Sequence, residues 1–325
     1  MDQITAIRID APGDASALKP ETLAAPRPKA GEILVGHAAI GVNFIDTYHR
    51  SGLYPLPLPT GIGLEAAGEV IAVGPDVTNW SVGDRVAYCT GPIGAYASAH
   101  CVAADRAVRL PDAISFDQAA AMMLKGLTAQ YLIRQIHDTQ AGDTVLFHAG
   151  AGGVGQIAVQ WLKHLGATVI TTVGSEEKAA IATRLGADHV INYRTEDIAA
   201  RVREIEPDGL PVVFDGVGQD TFTASLDSLR PRGLMVSFGN ASGPVRNVDL
   251  GILAAKGSLF VTRPTLFSYT STAQALQAAA QDLFGAVAAG GITIAEPTIY
   301  PLAEAARAHR DLEGRQTTGS LLLRP

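Results

Sequence analysis

The sequence DTVLFHAGAGGVG at residues 143–155 decides which fold this chain can adopt. A short apolar run at 144–147 leads directly into a glycine-rich turn at 150–155, and an amphipathic helical pattern follows. A strand, a G-x-G-x-x-G turn and a helix in this order are typical of a dinucleotide-binding fold, in which the helix N-terminus faces the phosphates. The helical pattern disfavours the alternative, a glycine-rich hairpin. We therefore predict that this stretch binds a dinucleotide.

Each glycine of this motif is needed for a physical reason. Gly150 permits the tight turn, and Gly152 lets backbone N–H groups approach a pyrophosphate. Gly155 lets the helix pack closely on the strand.

Strand and helix patterns alternate from residue 143 to residue 262. Such alternation predicts an α/β fold with a doubly wound parallel sheet and right-handed crossovers, and six strands are the number in a full dinucleotide-binding sheet. Helical patterns fill the gaps, except that residues 240–257 have an irregular pattern. The predicted strands are 144–148, 168–173, 189–193, 212–215, 234–238 and 258–262.

The chain before residue 110 is typical of a small β-rich domain, because short apolar runs alternate with Gly and Pro. Residues 41–55 mix polar and aromatic side chains, which predicts a loop and a short helix. The segments after residue 290 have no sheet of their own, so we expect them to return to this first domain and make it discontinuous. The predicted strands are 4–9, 33–40, 66–73, 85–88, 95–102, 292–295, 298–301 and 319–323, with a late helix at 303–312.

A capping-box pattern at Ser115 and Gln118 predicts the start of a helix, which we expect to be broken near Gly126. Lys125 and Thr128 are unexpected in so apolar a helix, and their position suggests that they point into a cleft.

The length, net charge and cysteine count of the chain exclude several classes of protein. A length of 325 residues predicts two domains, and the net charge of −7 argues against a nucleic-acid surface. Only Cys89 and Cys101 are present, so neither a disulfide framework nor a four-cysteine zinc site is expected. We see no signal peptide and no transmembrane run, and we therefore expect a cytoplasmic protein without a membrane partner.

The end of the second predicted strand of the parallel sheet indicates which dinucleotide is bound. Enzymes that select NAD place a carboxylate there, on the ribose 2′-hydroxyl. Here Ser175, Lys178 and Tyr193 converge and suit a 2′-phosphate, which favours NADPH. Glu176 and Glu177 weaken this interpretation, although acidic residues are also favourable in the first turn of any helix.

Taken together, these patterns resemble the medium-chain dehydrogenase/reductase superfamily and, within it, the zinc-independent NADPH:quinone oxidoreductases related to zeta-crystallin. The resemblance covers essentially the whole chain. It implies a Rossmann coenzyme domain at 126–265 and a discontinuous GroES-like catalytic domain at 1–125 and 266–325. The motifs that carry it are AIGVNFIDTYHRSGLYP (39–55), GLEAAGEV (63–70), GDRVAY (83–88), LKGLTAQYL (124–132), HAGAGGVGQIAVQWLKHLGA (148–167), GADHVINY (186–193), GLMVSFGNASG (233–243) and GSLFVTRP (257–264).

The zinc alcohol dehydrogenases of this superfamily use a cysteine in a G-x-C-x-x-D motif and a histidine in a G-H-E motif as zinc ligands. At the matching positions this chain has Asn43 and Leu64. A neutral amide and an alkyl group cannot replace thiolate and imidazole as zinc ligands. We therefore expect no metal site.

The resemblance implies hydride transfer from NADPH to a quinone. Asn43, Tyr48 and Tyr54 would line the site near the nicotinamide as catalytic residues, and Asp46 is expected to be a buried hydrogen-bond anchor. Two alternatives remain open: NADPH-dependent reduction of an enone or alkenal, and a non-catalytic, crystallin-like NADPH-binding protein. The residues that the resemblance assigns to the coenzyme are Lys125, Thr128, Gly150, Gly152, Gly153, Val154, Gly174, Ser175, Lys178, Tyr193, Phe238, Ser242, Arg263 and Arg315.

Residues 257–264 resemble the segment with which family members pair the edge strands of two subunits. An apolar edge strand needs to be covered. We therefore predict a homodimer.

Overall fold

The strands Glu32–Val42 and Thr144–Phe147 lie inside the two larger sheets of the protein. The structure is a computed structural model that describes residues 1–314 and 317–325. In chain order, the strands are β1 (Gln3–Ile9), β2 (Lys19–Ala24), β3 (Glu32–Val42), β4 (Thr60–Gly61), β5 (Glu65–Val73), β6 (Arg85–Tyr88), β7 (Ala99–Ala103), β8 (Val108–Arg109), β9 (Thr144–Phe147), β10 (Thr168–Val173), β11 (His189–Asn192), β12 (Leu210–Asp215), β13 (Leu229–Ser237), β14 (Phe260–Thr262), β15 (Thr298–Pro301) and β16 (Leu321–Arg324). The α-helices are α1 (Phe44–Ser51), α2 (Phe116–Gln130), α3 (Gly153–His164), α4 (Glu176–Arg184), α5 (Ile198–Ile205), α6 (Phe222–Asp227), α7 (Gly251–Ala255), α8 (Leu266–Tyr269), α9 (Ala273–Ala288) and α10 (Ala305–Glu313).

Two compact units contain these elements. The first comprises residues 1–125, 270–281 and 294–325, and the second comprises residues 126–269 and 282–293. The narrower limits of 126–265 for the coenzyme domain stay a prediction.

In the second unit, β9 to β14 form a six-stranded parallel sheet among the described residues, in the order β11-β10-β9-β12-β13-β14. The first strand in sequence lies inside the sheet, and the order reverses beside it, as in a dinucleotide-binding fold. Ligands of such sheets bind outside the carboxyl ends of the strands at this point. The glycine-rich turn follows β9, so the chain brings it to that position. The predicted α/β fold is confirmed.

In the first unit, the strands form a mixed sheet in the order β15-β16-β3-β5-β6-β8, with β7 also paired to β3, and a small sheet in the order β2-β1-β4. The apolar residues Ile33, Val35 and Ile40 of β3 have no exposed surface. Full burial of each such side chain contributes about 1.5–3 kcal/mol. Strand β16 pairs with β3 in antiparallel register, so the end of the chain completes the first sheet. The predicted discontinuous domain is confirmed.

The helix that begins after Ser115 is not broken near Gly126, and that prediction is wrong. Ser115 and Gln118 exchange the two hydrogen bonds of a capping box, of 3.0 and 3.1 Å, and α2 then continues to Gln130. A Cβ atom at Gly126 would lie 2.6 Å from the side chain of Leu283. The glycine therefore serves close packing against that leucine, and it does not end the helix.

Two smaller predictions also need correction, and one strand was missed. Residues 292–295 form no strand, because the N–H and C=O of Thr293 bond to the side chain of Gln160. Residues 240–257 are not irregular throughout, since they contain α7. Strand β2 was not predicted, because its sequence KPETLA is largely exposed and lacks a clear apolar face.

Candidate active site

Asn43 is the N-cap residue of α1, and its side chain reaches a buried carboxylate. Its backbone N–H donates to Oδ2 of Asp46 at 2.8 Å, as the first turn of a helix requires. Its side-chain Nδ2 donates to Oε2 of Glu65 at 2.7 Å, and the residue is 4% exposed. A primary amide carries two N–H donors, and the bond to Glu65 takes one of them. The second can serve a ligand oxygen.

Tyr48 and Tyr54 lie together near the end of α1. Their ring centroids are 5.3 Å apart in an edge-on arrangement, and the N–H of Tyr54 donates to the carbonyl of Tyr48 at 3.1 Å. Both side chains are partly exposed. The structure thus brings the three predicted catalytic residues into one segment, although their roles stay a prediction.

Glu65 is the centre of a polar cluster that the sequence interpretation missed. Its side chain has no exposed surface, and its Oε1 accepts a 2.7 Å hydrogen bond from the N–H of Leu124. Its Oε2 accepts from Asn43 and lies 3.7 Å from Nζ of Lys125. Burial raises the pKa of Glu65, and the positive charge of Lys125 opposes this rise. The G-L-E motif was the available signal, but it does not indicate which side chains surround the carboxylate.

A second buried chain of hydrogen bonds leads from Arg50 through His309 of α10 to Asp46. Arginine has only donors, so Arg50 donates to Nδ1 of His309 at 3.1 Å, and Nε2 of His309 then carries the proton. His309 donates to the hydroxyl oxygen of Tyr96 at 3.0 Å, and Tyr96 donates to Oδ2 of Asp46 at 2.9 Å. Glu313 accepts two bonds from Arg50, of 2.9 and 2.7 Å. Asp46 is a buried anchor, as expected.

The glycine-rich turn has the form of a phosphate cradle. Helix α3 begins at Gly153 behind the N-cap residue Gly152, and no side chain caps it. The first N–H groups of a helix need acceptors, and an anion can supply them. A Cβ atom at Gly155 would overlap the carbonyl of Ala149, and one at Gly150 would overlap the side chain of Thr171. The turn can adopt this shape only with glycine at both positions.

His148, directly before the turn, belongs to a buried network. Burial lowers the pKa of His148 and favours its neutral form. The hydroxyl of Ser225 donates to Oδ2 of Asp215 at 2.7 Å, so it accepts from Nε2 of His148 at 3.0 Å. Nδ1 of His148 then accepts from Thr172 at 3.0 Å, and the Thr172 oxygen accepts from the N–H of Ala149 at 3.2 Å. The network therefore supports the backbone of the turn.

The residues predicted for the 2′-phosphate lie at the ends of β10 and β11. The hydroxyl of Ser175 accepts from the N–H of Lys178 at 3.3 Å and caps α4. A Cβ atom at Gly174 would overlap the hydroxyl of Tyr193, which is 41% exposed. Oε1 of Glu176, a residue that could bind a free ribose, accepts from the amide of Asn192 at 3.1 Å.

The remaining predicted coenzyme residues have varied surroundings. The ring of Phe238 lies 5.6 Å from that of Phe147, and Val154 lies in the first turn of α3. The hydroxyl of Ser242 donates to the carbonyl of Val217 and accepts from the N–H of Asp220, at 2.9 and 3.0 Å. Thr128 lies in α2 and is partly exposed, NH1 of Arg263 donates to the carbonyl of Pro264 at 3.3 Å, and Arg315 lies outside the described residues.

Within residues 1–314 and 317–325, no three or more His, Cys, Asp or Glu residues are grouped closely enough to hold a metal ion. In the same part of the chain, no helix has both the length and the apolar character that a membrane span needs.

Comparisons with known proteins agree with the fold. The family model "Alcohol dehydrogenase GroES-like domain" matches residues 29–139, and the model "Zinc-binding dehydrogenase" matches residues 153–286. A quinone oxidoreductase of Pseudomonas aeruginosa is 58% identical over 305 residues, which cover 93% of each chain. A 2-haloacrylate reductase of Burkholderia sp. is 48% identical over 92% of each chain. The solved structure of Escherichia coli quinone oxidoreductase complexed with NADPH has a TM-score of 0.97 and 51% identity, and the match covers 99% of this chain and 100% of that one.

Proposed function

Because the chain belongs to the quinone oxidoreductase family of the medium-chain dehydrogenase/reductase superfamily, we propose that it transfers a hydride from NADPH to a quinone without a metal ion. The observation that carries this proposal is the polar cluster around Glu65. At the positions of the two zinc ligands of the zinc enzymes, this chain has Asn43 and Leu64, and the Asn43 amide is bonded to Glu65. Amide and alkyl groups make this site suited to hydrogen bonding and not to zinc.

The residues of the second unit suit NADPH. The uncapped start of α3 and the glycines of the turn suit a pyrophosphate, and Gly152, Gly153 and Val154 would hold it. Ser175, Lys178 and Tyr193 would hold the 2′-phosphate. NADPH supplies the hydride and its electron pair when it is bound. The residues of the protein would then position the coenzyme and the quinone and stabilise the charge that develops during hydride transfer.

The first unit supplies hydrogen-bond donors for the acceptor. The second N–H of the Asn43 amide would donate to a quinone oxygen, on which negative charge develops during hydride transfer. A hydroxyl of Tyr48 or Tyr54 would donate to the same or the opposite oxygen. Donors that are fixed before the reaction stabilise such charge without reorganisation. Asn43 is fixed by Glu65, and the two tyrosines are held by their mutual contact.

A second candidate function is the reduction of an activated carbon–carbon double bond. The 48% identical 2-haloacrylate reductase favours it, because its name indicates an α,β-unsaturated substrate. An enone also places negative charge on an oxygen after hydride addition, so the same donors would serve both reactions.

The experiment measures oxidation of NADPH by the purified protein after treatment with a zinc chelator. A benzoquinone and an alkenal are supplied side by side, and NADH replaces NADPH in a parallel series. We expect the quinone to be reduced with NADPH at an undiminished rate after chelation. Faster turnover of the alkenal would favour the second function. NADPH binding without turnover of either acceptor would indicate the non-catalytic alternative and contradict the proposal.

A homodimer and a cytoplasmic location also belong to this proposal. Strand β14 is an edge of the six-stranded sheet among the described residues, and its Phe260 and Val261 are 61% and 40% exposed. Pairing with the same strand of a second chain would cover them.

A further inference from the structure

The ammonium group of Lys125 lies in an unusual environment. The residue is 6% exposed, and in the described part of the chain its Nζ has no hydrogen-bond partner. Its charged neighbour is Oε2 of Glu65 at 3.7 Å, which is beyond the reach of a hydrogen bond. A buried ammonium with three N–H donors is costly unless acceptors satisfy it. This combination points to an acceptor that is supplied by a ligand.

Glu65 cannot move to satisfy Lys125 without losing other bonds. Its Oε1 is held by the N–H of Leu124 and its Oε2 by the amide of Asn43, both at 2.7 Å. The carboxylate therefore keeps the ammonium near the Asn43 amide, with both groups directed at the same oxygen. Asn43 stands where the zinc enzymes have a metal ligand, so a positive charge lies beside the position that a metal ion would otherwise occupy.

We propose that Lys125 is a catalytic residue that replaces the electrostatic role of the metal, and not only a coenzyme contact. This inference rests on the proposed function. The bound coenzyme would supply a hydride with its electron pair, and the new bond to the quinone would leave a negative charge on a quinone oxygen. The ammonium stabilises this oxyanion and donates one proton to it, which completes the hydroquinone. The neutral amine then recovers a proton from water.

The first test measures binding in the absence of turnover. With NADP⁺ present, calorimetry compares 2-hydroxy-1,4-naphthoquinone, which is an anion at neutral pH, with its neutral 2-methoxy analogue. We expect the wild-type protein to bind the anion about 10-fold or more tightly than the neutral analogue, since charge-assisted hydrogen bonds are the stronger ones. Lys125→Met should abolish this preference, and Lys125→Arg should retain part of it. Lys256→Met, which changes a surface ion pair by the same charge, is the control.

The second test separates chemistry from coenzyme binding. Lys125→Met should lower kcat for quinone reduction by about 10²–10³-fold, as does the loss of one oxyanion donor in other enzymes. The dissociation constant for NADPH, measured by fluorescence, should change far less. Removal of Lys125 leaves the Glu65 charge buried and unpaired. The double variant Lys125→Met/Glu65→Gln avoids this unpaired charge. It should show the same loss of preference for the anionic naphthoquinone.

Two outcomes would overturn the inference. In one, the double variant or Lys125→Met binds the anionic naphthoquinone as tightly as the wild-type protein. In the other, Lys125→Met weakens NADPH binding while kcat at saturating NADPH is unchanged, which indicates a coenzyme contact alone. If the proposed function itself is wrong, the wild-type protein will reduce no quinone. That result differs from both outcomes above.

Discussion

The hydroxyl of Tyr96 donates a 2.9 Å hydrogen bond to Oδ2 of Asp46, although 50 residues separate them in the sequence. This bond is the last of a directed series that begins at Arg50 and passes through His309. Because each donor determines the orientation of the next, the series keeps Asp46 at the start of α1, where it accepts from the N–H of Asn43. The backbone of Asn43, whose side chain we propose as a quinone donor, is thus held by a series of contacts that includes His309 of α10.

The Asp46 carboxyl makes stability depend on pH. Burial raises its pKa to about 7, against the hydrogen bonds from Asn43 and Tyr96, whereas in the unfolded chain it is near its ordinary value of 3.8. As pH rises between these values, the unfolded chain loses the proton first, so the folded state is progressively destabilised. Asp46→Asn lacks this effect. We expect Asp46→Asn to become more stable relative to the wild-type protein as pH rises from about 5 to about 8.

Urea unfolding of both proteins at the two pH values measures this difference. Each unit of pKa difference corresponds to about 1.4 kcal/mol, so the relative change is a few kcal/mol at most. Asp208→Asn, at an exposed position, is the control. A stability difference that stays constant with pH would show that Asp46 titrates normally in the folded protein.

The network around His148 leads to a prediction about the glycine-rich turn. Ser225→Ala removes the hydroxyl that links Nε2 of His148 to Asp215, and it leaves two buried polar groups without that partner. We expect a loss of about 1–3 kcal/mol in the free energy of unfolding. The dissociation constant for NADPH should also rise, since His148 orients Thr172, which bonds to the N–H of Ala149.

Ser228→Ala is the matched control, because the Ser228 hydroxyl bonds to the Ala224 carbonyl one helical turn earlier. Urea titration and NADPH fluorescence are measured on both variants. Equal NADPH affinity in the two variants would mean that the network supports the fold but not the glycine-rich turn.

The sequence indicated elements that are encoded locally. The six parallel strands follow from alternating strand and helix patterns, and the glycine-rich turn follows from glycines at fixed spacing. The capping box at Ser115 is likewise a local signal, and its two hydrogen bonds are present.

Contacts between distant segments could not be predicted in this way. Tyr96 and His309 are 213 residues apart, and Arg50 and Glu313 are 263 apart. They meet because the C-terminal segment returns to the first sheet, and no periodic pattern in either segment specifies its partner. Gly126 shows the opposite case, in which a local signal for a helix break is overridden by packing against Leu283.

We expect coenzyme selectivity to depend on charge at the start of α4. Lys178→Glu places a carboxylate where we propose that the 2′-phosphate binds, and like charges repel. We expect the KM for NADPH to rise far more than the KM for NADH, by about 10-fold or more, because a direct ion pair to phosphate is lost and reversed. Steady-state kinetics with both coenzymes measure the ratio of the two KM values.

Arg184→Glu, at the exposed end of the same helix, is the control and should change neither KM appreciably. Equal effects of Lys178→Glu on both coenzymes would refute the assignment of Lys178.

The exposed edge of the six-stranded sheet leads to a prediction about assembly. Phe260 and Val261 of β14 leave apolar surface uncovered, and a charged residue on an edge strand prevents pairing with another chain. We expect the wild-type protein to sediment with the mass of two chains and Val261→Lys to sediment with the mass of one. Val82→Lys adds the same charge at a residue that is 66% exposed in the first unit, and it should remain dimeric. A wild-type mass of one chain, or a dimeric Val261→Lys, would contradict assembly through this edge.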